Sequence, residues 1–433
     1  MPKLPLDGIR IVDMTAVIGA PYGMLLLAEM GAEVVRVESL RHFTSTTRGT
    51  MAHPPKELVP TMGPIGGGYP DFDPGDRPWN RFALFNCHAH NKFSMTADIA
   101  TAKGQAIFKE LVNVSDLVVD NQTNFMRSFG LGYDDLRRVR PDLIVIAISG
   151  TGAEGPYQGA RGYGGHFENL MGHAWLRGYP EDHPISITPT VVASDPASGA
   201  ALAWSALAAL EYRERTGQGQ YIDMSLTEMY AHHVGSAYLD YSLNGRVQRT
   251  MGNRHPSMAP HGCYRCRGDD RWVVITVATD EQWLALRRAM GDPAWAKDRR
   301  FADPFRRLRC QDLLDRHIGE WTSQREHLEV QATLQKAGVP AGAVMDVSEI
   351  FRDPHLRERG FYRRVEHPEA GVHDYGFQFW KMSRTPVEYR RPPPLLGEHN
   401  DYFYRELLGV TAEEYRRLEA EGQIGMDYPP DMP

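Results

Sequence analysis

Cysteine is scarce in this sequence, and so are other features that would place it in a particular class of protein. The 433 residues include four cysteines, too few for a disulfide framework, which predicts a reducing compartment, the cytoplasm. No apolar run approaches the length that spans a membrane. The opening segment, MPKLPLDGIRIV, has no apolar stretch of the kind found in secretory signals. We therefore expect a cytoplasmic protein without a membrane anchor.

Two further classes have little support. The formal net charge of −7 argues against non-specific binding to nucleic acid. Cys263 and Cys266 form a single C-x-x-C, but no second pair or His-x-x-His follows at the spacing of a zinc site. We expect no metal, and the pair is more simply a coincidence within a strand-like run than a redox site.

The length and the pattern of apolar runs indicate the fold class. A chain of 433 residues, 42% of them hydrophobic, is too long for one compact core, so we expect at least two lobes. Strand-like runs alternate with helical segments through the first half, which predicts an α/β fold with a parallel sheet. The predicted strands cover residues 8–15, 33–38, 91–98, 116–120, 142–149 and 220–226.

The first strand and its turn lack the known phosphate-binding fingerprints. The turn VIGAPYG is neither G-x-G-x-x-G nor a P-loop. Glu38 ends the second strand, where a dehydrogenase places its ribose-binding acid, but without the glycine fingerprint that alternative has little support. Residues 50–81 are rich in proline and glycine, and we predict a surface insertion there, a lid or a dimer-contact loop.

The pattern of apolar and polar residues changes after a predicted helix over residues 227–244. Hairpin-like strands and polar helices follow, which predicts a smaller α+β domain. We therefore predict a large domain that begins with residues 1–226, a linker helix and small domain over 227–338, and a return to the large domain over 339–433.

Asp195 opens the most distinctive helix of the chain. It occupies the position of an N-cap, with Pro196 at the first helical position. Small residues fill the next two turns, so another backbone or a ligand can come close. A carboxylate at a helix N-terminus is kept ionised by the helix dipole, so Asp195 is a candidate nucleophile for covalent acyl transfer. On this stretch alone, an ordinary N-cap is the commoner role.

A set of motifs in fixed order covers nearly the whole chain. They include LDGIRIVDMT, AEMGAEVVRVE, GLGYDDLRRVRPDLIVIAISGTGAEGPY, SDPASGAALAWSALAALEYRERTGQGQYIDMSL, MGNRHPSMAPHGCY and PPPLLGEHN. With them the chain resembles the class III CoA-transferases, a family that includes formyl-CoA transferase, carnitine CoA-transferase and α-methylacyl-CoA racemase. The resemblance implies a large Rossmann-like lobe built from both chain ends, a small inserted domain and an interlocked homodimer.

The resemblance also implies a reaction. Asp195 falls on the nucleophile of the family, which attacks an acyl-CoA thioester to give an aspartyl anhydride and then an aspartyl-CoA thioester. CoA is finally handed to a second carboxylic acid. Coenzyme A is thus a substrate, no tightly bound cofactor is implied, and the partners are an acyl-CoA donor and a carboxylic acid acceptor.

Further site residues carry over by position. Glu168 matches an acidic position of the family that orients a substrate, with a solvent-facing helix residue as the alternative. Oxyanion donors are expected from the loop formed by Val17, Ile18, Gly19 and Ala20. Contacts with CoA are expected from Arg48, Ala97, Ile99, Asn121 and Arg127.

Departures from the family leave two alternatives open. Ile18 stands where formyl-CoA transferase has a glutamine, which favours a bulkier or less polar acid than oxalate or formate. The racemase uses a His-Asp pair where this chain has Phe167 and Glu168; His166 is offset by one residue, about 100° around a helix. A racemase is therefore the weaker alternative. A non-catalytic subunit of a hetero-oligomer is the other, against which the presence of Asp195 argues.

Overall fold

The chain folds into two compact units. A computed structural model describes residues 4–122, 124–181 and 193–432, apart from the side chains of residues 64 and 65. Unit 1 comprises Met1–His173, Pro189–Tyr238 and Gly360–Pro433, and unit 2 comprises Ala174–Thr188 and Leu239–Arg359. These units are compact groups of contacts; the boundaries between separate domains, after residues 226 and 338, stay a prediction.

A six-stranded parallel sheet forms the centre of unit 1. Its strands lie in the order β3-β2-β1-β4-β5-β6. This confirms the predicted α/β class with its Rossmann-like sheet. The strand order reverses between β1 and β4, and ligands of such sheets bind beside the carboxyl ends of the strands at that point. The strands are β1 (Arg10–Met14), β2 (Glu33–Glu38), β3 (Phe93–Thr96), β4 (Leu117–Asp120), β5 (Ile144–Ser149) and β6 (Tyr221–Ser225).

Helices connect the strands and continue into unit 2. They are α1 (Gly19–Glu29), α2 (Gly63–Gly66), α3 (Pro78–Arg81), α4 (Ala83–Asn86), α5 (Ala102–Asn113), α6 (Phe125–Ser128), α7 (Tyr133–Val139), α8 (Gly164–Leu170), α9 (His173–Leu176), α10 (Ser194–Thr216), α11 (Leu226–Ala231), α12 (Gly235–Asn244), α13 (Asp280–Ala289), α14 (Pro304–Arg309), α15 (Gln311–Thr322), α16 (His327–Lys336), α17 (Val347–Arg352), α18 (Pro354–Glu358) and α19 (Ala412–Ala420).

Two helices predicted as continuous are each broken by a glycine. The sequence predicts single helices over 125–138 and 166–176, and the structure has α6 and α7 in the first and α8 and α9 in the second. Gly130 (φ 66°) and Gly172 (φ 86°) lie at the breaks in the left-handed region, which glycine adopts without steric cost. The second break matters for the site described below.

The sheet is covered by helices on both faces. Ile11 of β1 packs in a core with side chains of α1 and α10, whereas its neighbour Val12 packs with side chains of α5, α7 and α19. Successive residues of a strand point to opposite faces, so a strand covered on both sides carries apolar residues on both faces. This explains why apolar residues such as Ile11 and Val12 follow one another in the sequence instead of alternating with polar ones.

The small-residue face of α10 receives the backbone of α1. A Cβ atom placed on Gly199 would lie 2.6 Å from the carbonyl oxygen of Gly19, and one on Gly23 would lie 2.7 Å from the carbonyl oxygen of Gly199. Such distances leave no room for a methyl group. The close approach brings the loop after β1 against the N-terminal end of α10.

Replacing Gly199 with alanine is expected to lower the free energy of unfolding by about 1–3 kcal/mol, because the added methyl group overlaps α1. Thermal unfolding measures the loss. The matched control is Gly319→Ala within α15, where nothing lies within 4 Å of the added Cβ and where alanine favours the helix by about 1 kcal/mol. Similar melting temperatures for the two variants would contradict the packing described here.

Unit 2 contains its own antiparallel sheet. It consists of β7 (His261–Arg265), β8 (Trp272–Thr276) and β9 (Ala341–Val344), with β8 in the centre. Side chains from α13, α15 and α16 pack in the core of this unit. All four cysteines are free thiols, including Cys263 and Cys266. In unit 1, β10 (Tyr362–His367) and β11 (Gly371–Gly376) form a hairpin.

The predicted insertion at 50–81 is ordered into a small core of its own rather than a loose surface loop. Val59 and Tyr69 are buried with Phe82 and Phe85, which directly follow the segment. Trp79 packs edge-on against Tyr428 from the end of the chain, with ring centroids 5.2 Å apart. Aromatic side chains thus anchor a stretch that shows no periodicity in the sequence.

Candidate active site

Asp195 lies in the first turn of α10 and is not its N-cap. The helix begins at Ser194 with Ala193 in the cap position and no capping side chain, so the predicted N-cap role is wrong. The backbone N–H of Ser194 donates instead to Oε1 of Glu168 at 2.9 Å. Because a carboxylate from α8 occupies the end of α10, the carboxylate of Asp195 is not used for capping.

Glu168 is the buried partner of this helix end. It is 1% exposed, so the alternative of a solvent-facing helix residue is wrong. While Oε1 accepts from Ser194, Oε2 lies 3.2 Å from Nδ1 of His173. The sequence pattern does not point to His173, because a continuous helix would place this residue about 140° around the axis from Glu168. The break at Gly172 brings His173 to the side of Glu168, and Gly172 is the feature of the sequence that could have indicated this.

Burial, and in second place the negative charge of Glu168, raise the pKa of Asp195 to about 6. The sequence predicts the opposite direction, from the helix dipole. Loss of solvent and a nearby like charge both disfavour the ionised form, and here they prevail. With a pKa of about 6, roughly nine-tenths of the Asp195 carboxyl groups remain ionised at pH 7, which is the form that a nucleophilic role would require.

The loop after β1 is fixed in a strained conformation beside Asp195. Val17 has φ 70°, an uncommon value for a β-branched residue and a mark of a tightly determined backbone. Asn121, at the carboxyl end of β4, accepts from Ala16 N at 2.7 Å and donates to Ala16 O at 2.9 Å. The N–H of Val17 donates to Thr47 Oγ1 at 3.2 Å. Asn121 therefore holds the loop across the switch point of the sheet.

Two amides of this loop are suited to bind an oxyanion. A Cβ atom on Gly19 would lie 3.2 Å from the carbonyl oxygen of Asp195, so the start of α1 adjoins the start of α10. The N–H groups of Gly19 and Ala20 are in the first turn of α1, where no intrahelical acceptor exists. Val17 does not qualify, because its N–H is bonded to Thr47. Ile18 is the N-cap residue of α1.

The comparison with known proteins decides the family. The model of CoA-transferase family III matches residues 6–400. The chain belongs to this family.

Named relatives and a solved structure agree with the assignment. The succinyl-CoA–D-citramalate CoA-transferase of Chloroflexus aurantiacus is 32% identical over 98% of this chain and 99% of its own length. The beta subunit of the succinyl-CoA–L-malate CoA-transferase of that bacterium is 30% identical over 97% and 98%. A CaiB/BaiF family protein from Brucella suis matches with a TM-score of 0.78 and 28% identity over 94% and 100% of the two chains. The protein is thus an enzyme that transfers CoA, as the sequence predicts.

Arg48 does not lie where a CoA-transferase could use it to bind a phosphate. It is 1% exposed, and its Nε and Nη2 atoms donate to the two carboxylate oxygens of Glu38 at 2.8 and 2.9 Å. The guanidinium stacks on Phe85, with Cζ 3.8 Å from the ring centroid. The same pair excludes a ribose-binding role for Glu38. Arg48 instead joins the end of β2 to the 50–81 segment.

The other predicted CoA contacts are dispersed. Ala97 and Ile99 follow β3 and are buried in the core with Phe108. Arg127 is exposed on α6, with Cζ 5.8 Å from the ring centroid of Tyr221. Of the two arginines predicted to bind phosphate, Arg127 is the one that is exposed to solvent. Ala97 and Ile99, which were predicted to line the adenine, are instead buried in the core.

The described part of the chain contains neither a candidate metal centre nor a membrane-spanning helix. In residues 4–122, 124–181 and 193–432, no three His, Cys, Asp or Glu side chains are grouped so that they could hold a metal ion. Across that part of the chain, no helix combines the length and the apolar character needed to cross a membrane.

Proposed function

We propose that the protein is an acyl-CoA:carboxylate CoA-transferase in which Asp195 is the covalent nucleophile. The observation that carries the proposal is a buried carboxylate in the first turn of α10 that is spared from capping by Glu168. The relatives named above act on succinyl-CoA with D-citramalate or L-malate. We therefore infer succinyl-CoA as the donor and a dicarboxylate as the acceptor.

The reaction follows four exchanges at one carboxylate. An oxygen of Asp195 attacks the thioester carbonyl and the C–S bond breaks. This step releases CoA thiolate and forms a mixed anhydride between Asp195 and the donor acid. The thiolate attacks the aspartyl carbonyl, which releases the donor acid and forms an aspartyl-CoA thioester. The acceptor carboxylate displaces the thiolate through a second anhydride. The thiolate finally attacks the acceptor carbonyl, which restores Asp195 without net transfer of protons or electrons.

Each tetrahedral intermediate carries an oxyanion that needs hydrogen-bond donors. The first-turn amides of Gly19 and Ala20 adjoin Asp195 and supply such donors without side-chain movement. Asn121 and Thr47 keep these amides in place by bonding to Ala16 and Val17. Arg127 remains the candidate contact for a CoA phosphate, since a guanidinium fork matches phosphate geometry.

A homodimer is proposed from the resemblance and from the surface of α10. Trp204 is 71% exposed, and Leu207, three residues later on the same side of α10, is exposed as well. Large apolar side chains exposed together indicate a contact surface. One relative is named as a beta subunit, so a second, related chain is the alternative partner. The interlocked geometry and the cytoplasmic location remain predictions.

The rate of acyl transfer is expected to depend on pH through Asp195. The nucleophile is the ionised form, so the rate rises with pH and levels off above the pKa of about 6. Below that value it falls about tenfold per pH unit. Single-turnover reaction with succinyl-CoA between pH 4.5 and 8 measures the profile. A rate that is independent of pH over this range would contradict the assignment.

An exchange assay tests the proposed function. The enzyme is mixed with succinyl-CoA and either L-malate, citramalate or acetate, and CoA thioesters are quantified by mass spectrometry. We expect a new dicarboxylyl-CoA in the amount of succinyl-CoA consumed, with little product from acetate. Exchange of the α-proton in deuterated water without an acceptor would instead support the racemase. Of the two candidates for the second acid–base group of that alternative, His166 is exposed, and Glu168 is bonded to Ser194 and His173.

A further inference from the structure

The four exchanges at Asp195 leave one nearby titratable group without a role. Nδ1 of His173 lies 3.2 Å from Oε2 of Glu168. The carboxylate side chain is 1% exposed and the imidazole 21%, so the pair links the buried end of α10 to solvent. A carboxylate acts only as an acceptor, so Nδ1 of His173 is the donor of this bond.

The surroundings of the imidazole fix its position. His173 contacts Tyr230 of α11 edge-on at 5.2 Å between ring centroids, and His233 stacks on the other side of that tyrosine at 4.7 Å. The titratable groups on the helices packed against α8 are, on α11, Tyr230 and exposed Glu228 and, in the first turn of α10, Asp195; the others on α10 lie in its last two turns, from Glu211 onward. On α8 itself, His166 accepts from the N–H of Tyr163.

We propose that His173 is a positioning residue, which orients the Glu168 carboxylate onto the Ser194 amide and offsets its charge beside Asp195. The inference rests on the proposed function and specifies how its nucleophile is regulated. With Oε2 held by His173, Oε1 stays directed at the helix end. The N–H that His173 donates to Oε2 partly offsets the charge of Glu168 and so favours the ionised form of Asp195.

Two substitutions separate hydrogen bonding from packing. His173→Asn keeps an N–H donor near the position of Nδ1 but loses the ring, whereas His173→Phe keeps a ring against Tyr230 but loses the donor. At pH 8 we expect His173→Asn to acylate within about threefold of the wild-type rate. His173→Phe is expected to lose about tenfold in kcat with little change in KM, which corresponds to about 1.4 kcal/mol, because it removes a hydrogen bond to a charged carboxylate. Equal activity of the two variants, or higher activity of His173→Phe, would overturn the proposal.

The pH profile supplies a readout that a packing role leaves unchanged. In His173→Phe no donor offsets the charge of Glu168, so the midpoint for acylation should move up by roughly half a unit, whereas His173→Asn should keep the wild-type midpoint. An unchanged midpoint in His173→Phe would also overturn the proposal. The control is His232→Asn, an exposed histidine outside this pair, which should keep the wild-type profile. Melting temperatures of all variants identify any loss of folding.

Failure of this inference differs from failure of the proposed function. If the wild-type enzyme forms no adduct with succinyl-CoA, the covalent mechanism itself is wrong. If the wild-type enzyme forms the adduct and His173→Phe shows the wild-type pH midpoint, the role of His173 alone is wrong.

Discussion

Replacing Asp195 with alanine lowers the rate of CoA transfer by about 10⁴-fold or more, because the variant has no group that can form the anhydride. The affinity for CoA is expected to stay close to that of the wild type, since in the proposed site its phosphates contact Arg127 rather than Asp195. Steady-state exchange between succinyl-CoA and a dicarboxylate gives the rate, and calorimetric titration with CoA gives the affinity.

Two variants complete the test of Asp195. Asp195→Asn keeps the shape of the side chain without its charge and should be as inactive as the alanine variant. Glu214→Ala removes a carboxylate from the exposed end of the same helix, about 28 Å along its axis, and should retain full activity. An Asp195→Ala variant that keeps more than about a tenth of the wild-type rate would rule out covalent catalysis at this residue.

Replacing Glu168 with alanine is expected to have the second-largest effect. The Ser194 amide and the His173 imidazole lose an acceptor, which costs about 1–3 kcal/mol of unfolding free energy. The start of α10 is then less firmly held, and an error of about 1 Å in the position of a nucleophile lowers the rate about 10²-fold. Chemical denaturation and exchange assays measure the two effects.

Glu168→Gln distinguishes geometry from charge. Its amide oxygen can still accept from Ser194, but its negative charge is gone, so the pKa of Asp195 moves towards its usual range. We expect activity to be recovered in part relative to Glu168→Ala, with a pH profile displaced to lower pH. If Glu168→Ala matched the wild type in both stability and rate, Glu168 could not be the residue that holds α10.

Local sequence patterns were sufficient for the fold. The strand Glu33–Glu38 was predicted with the bounds that the structure shows, because three β-branched residues, Val34, Val35 and Val37, closely follow the helix-ending Gly31. The ordered family motifs identified the enzyme class and pointed to Asp195. Short-range signals of this kind depend on residues adjacent in the chain, and these the sequence displays directly.

The parts that could not be predicted depend on contacts between distant segments. The cap of α10 is supplied by Glu168, 26 residues before Ser194, so the local N-cap rule misplaced Asp195. Arg48 matched a CoA-contacting position, yet Glu38 and Phe85 bury its guanidinium. His173 reaches Glu168 because of the left-handed turn at Gly172. Helical periodicity predicts which residues share a face only while the helix is continuous, so it could not predict that His173 lies beside Glu168.

The most direct test of the account is the mass of the intact protein after brief mixing with succinyl-CoA and chemical trapping with borohydride or hydroxylamine. We expect an acyl or CoA adduct on the wild-type protein, which peptide mapping should assign to Asp195. The Asp195→Ala variant should lack this adduct. Rapid CoA exchange with no trapped adduct, or an adduct on another residue, would contradict the account.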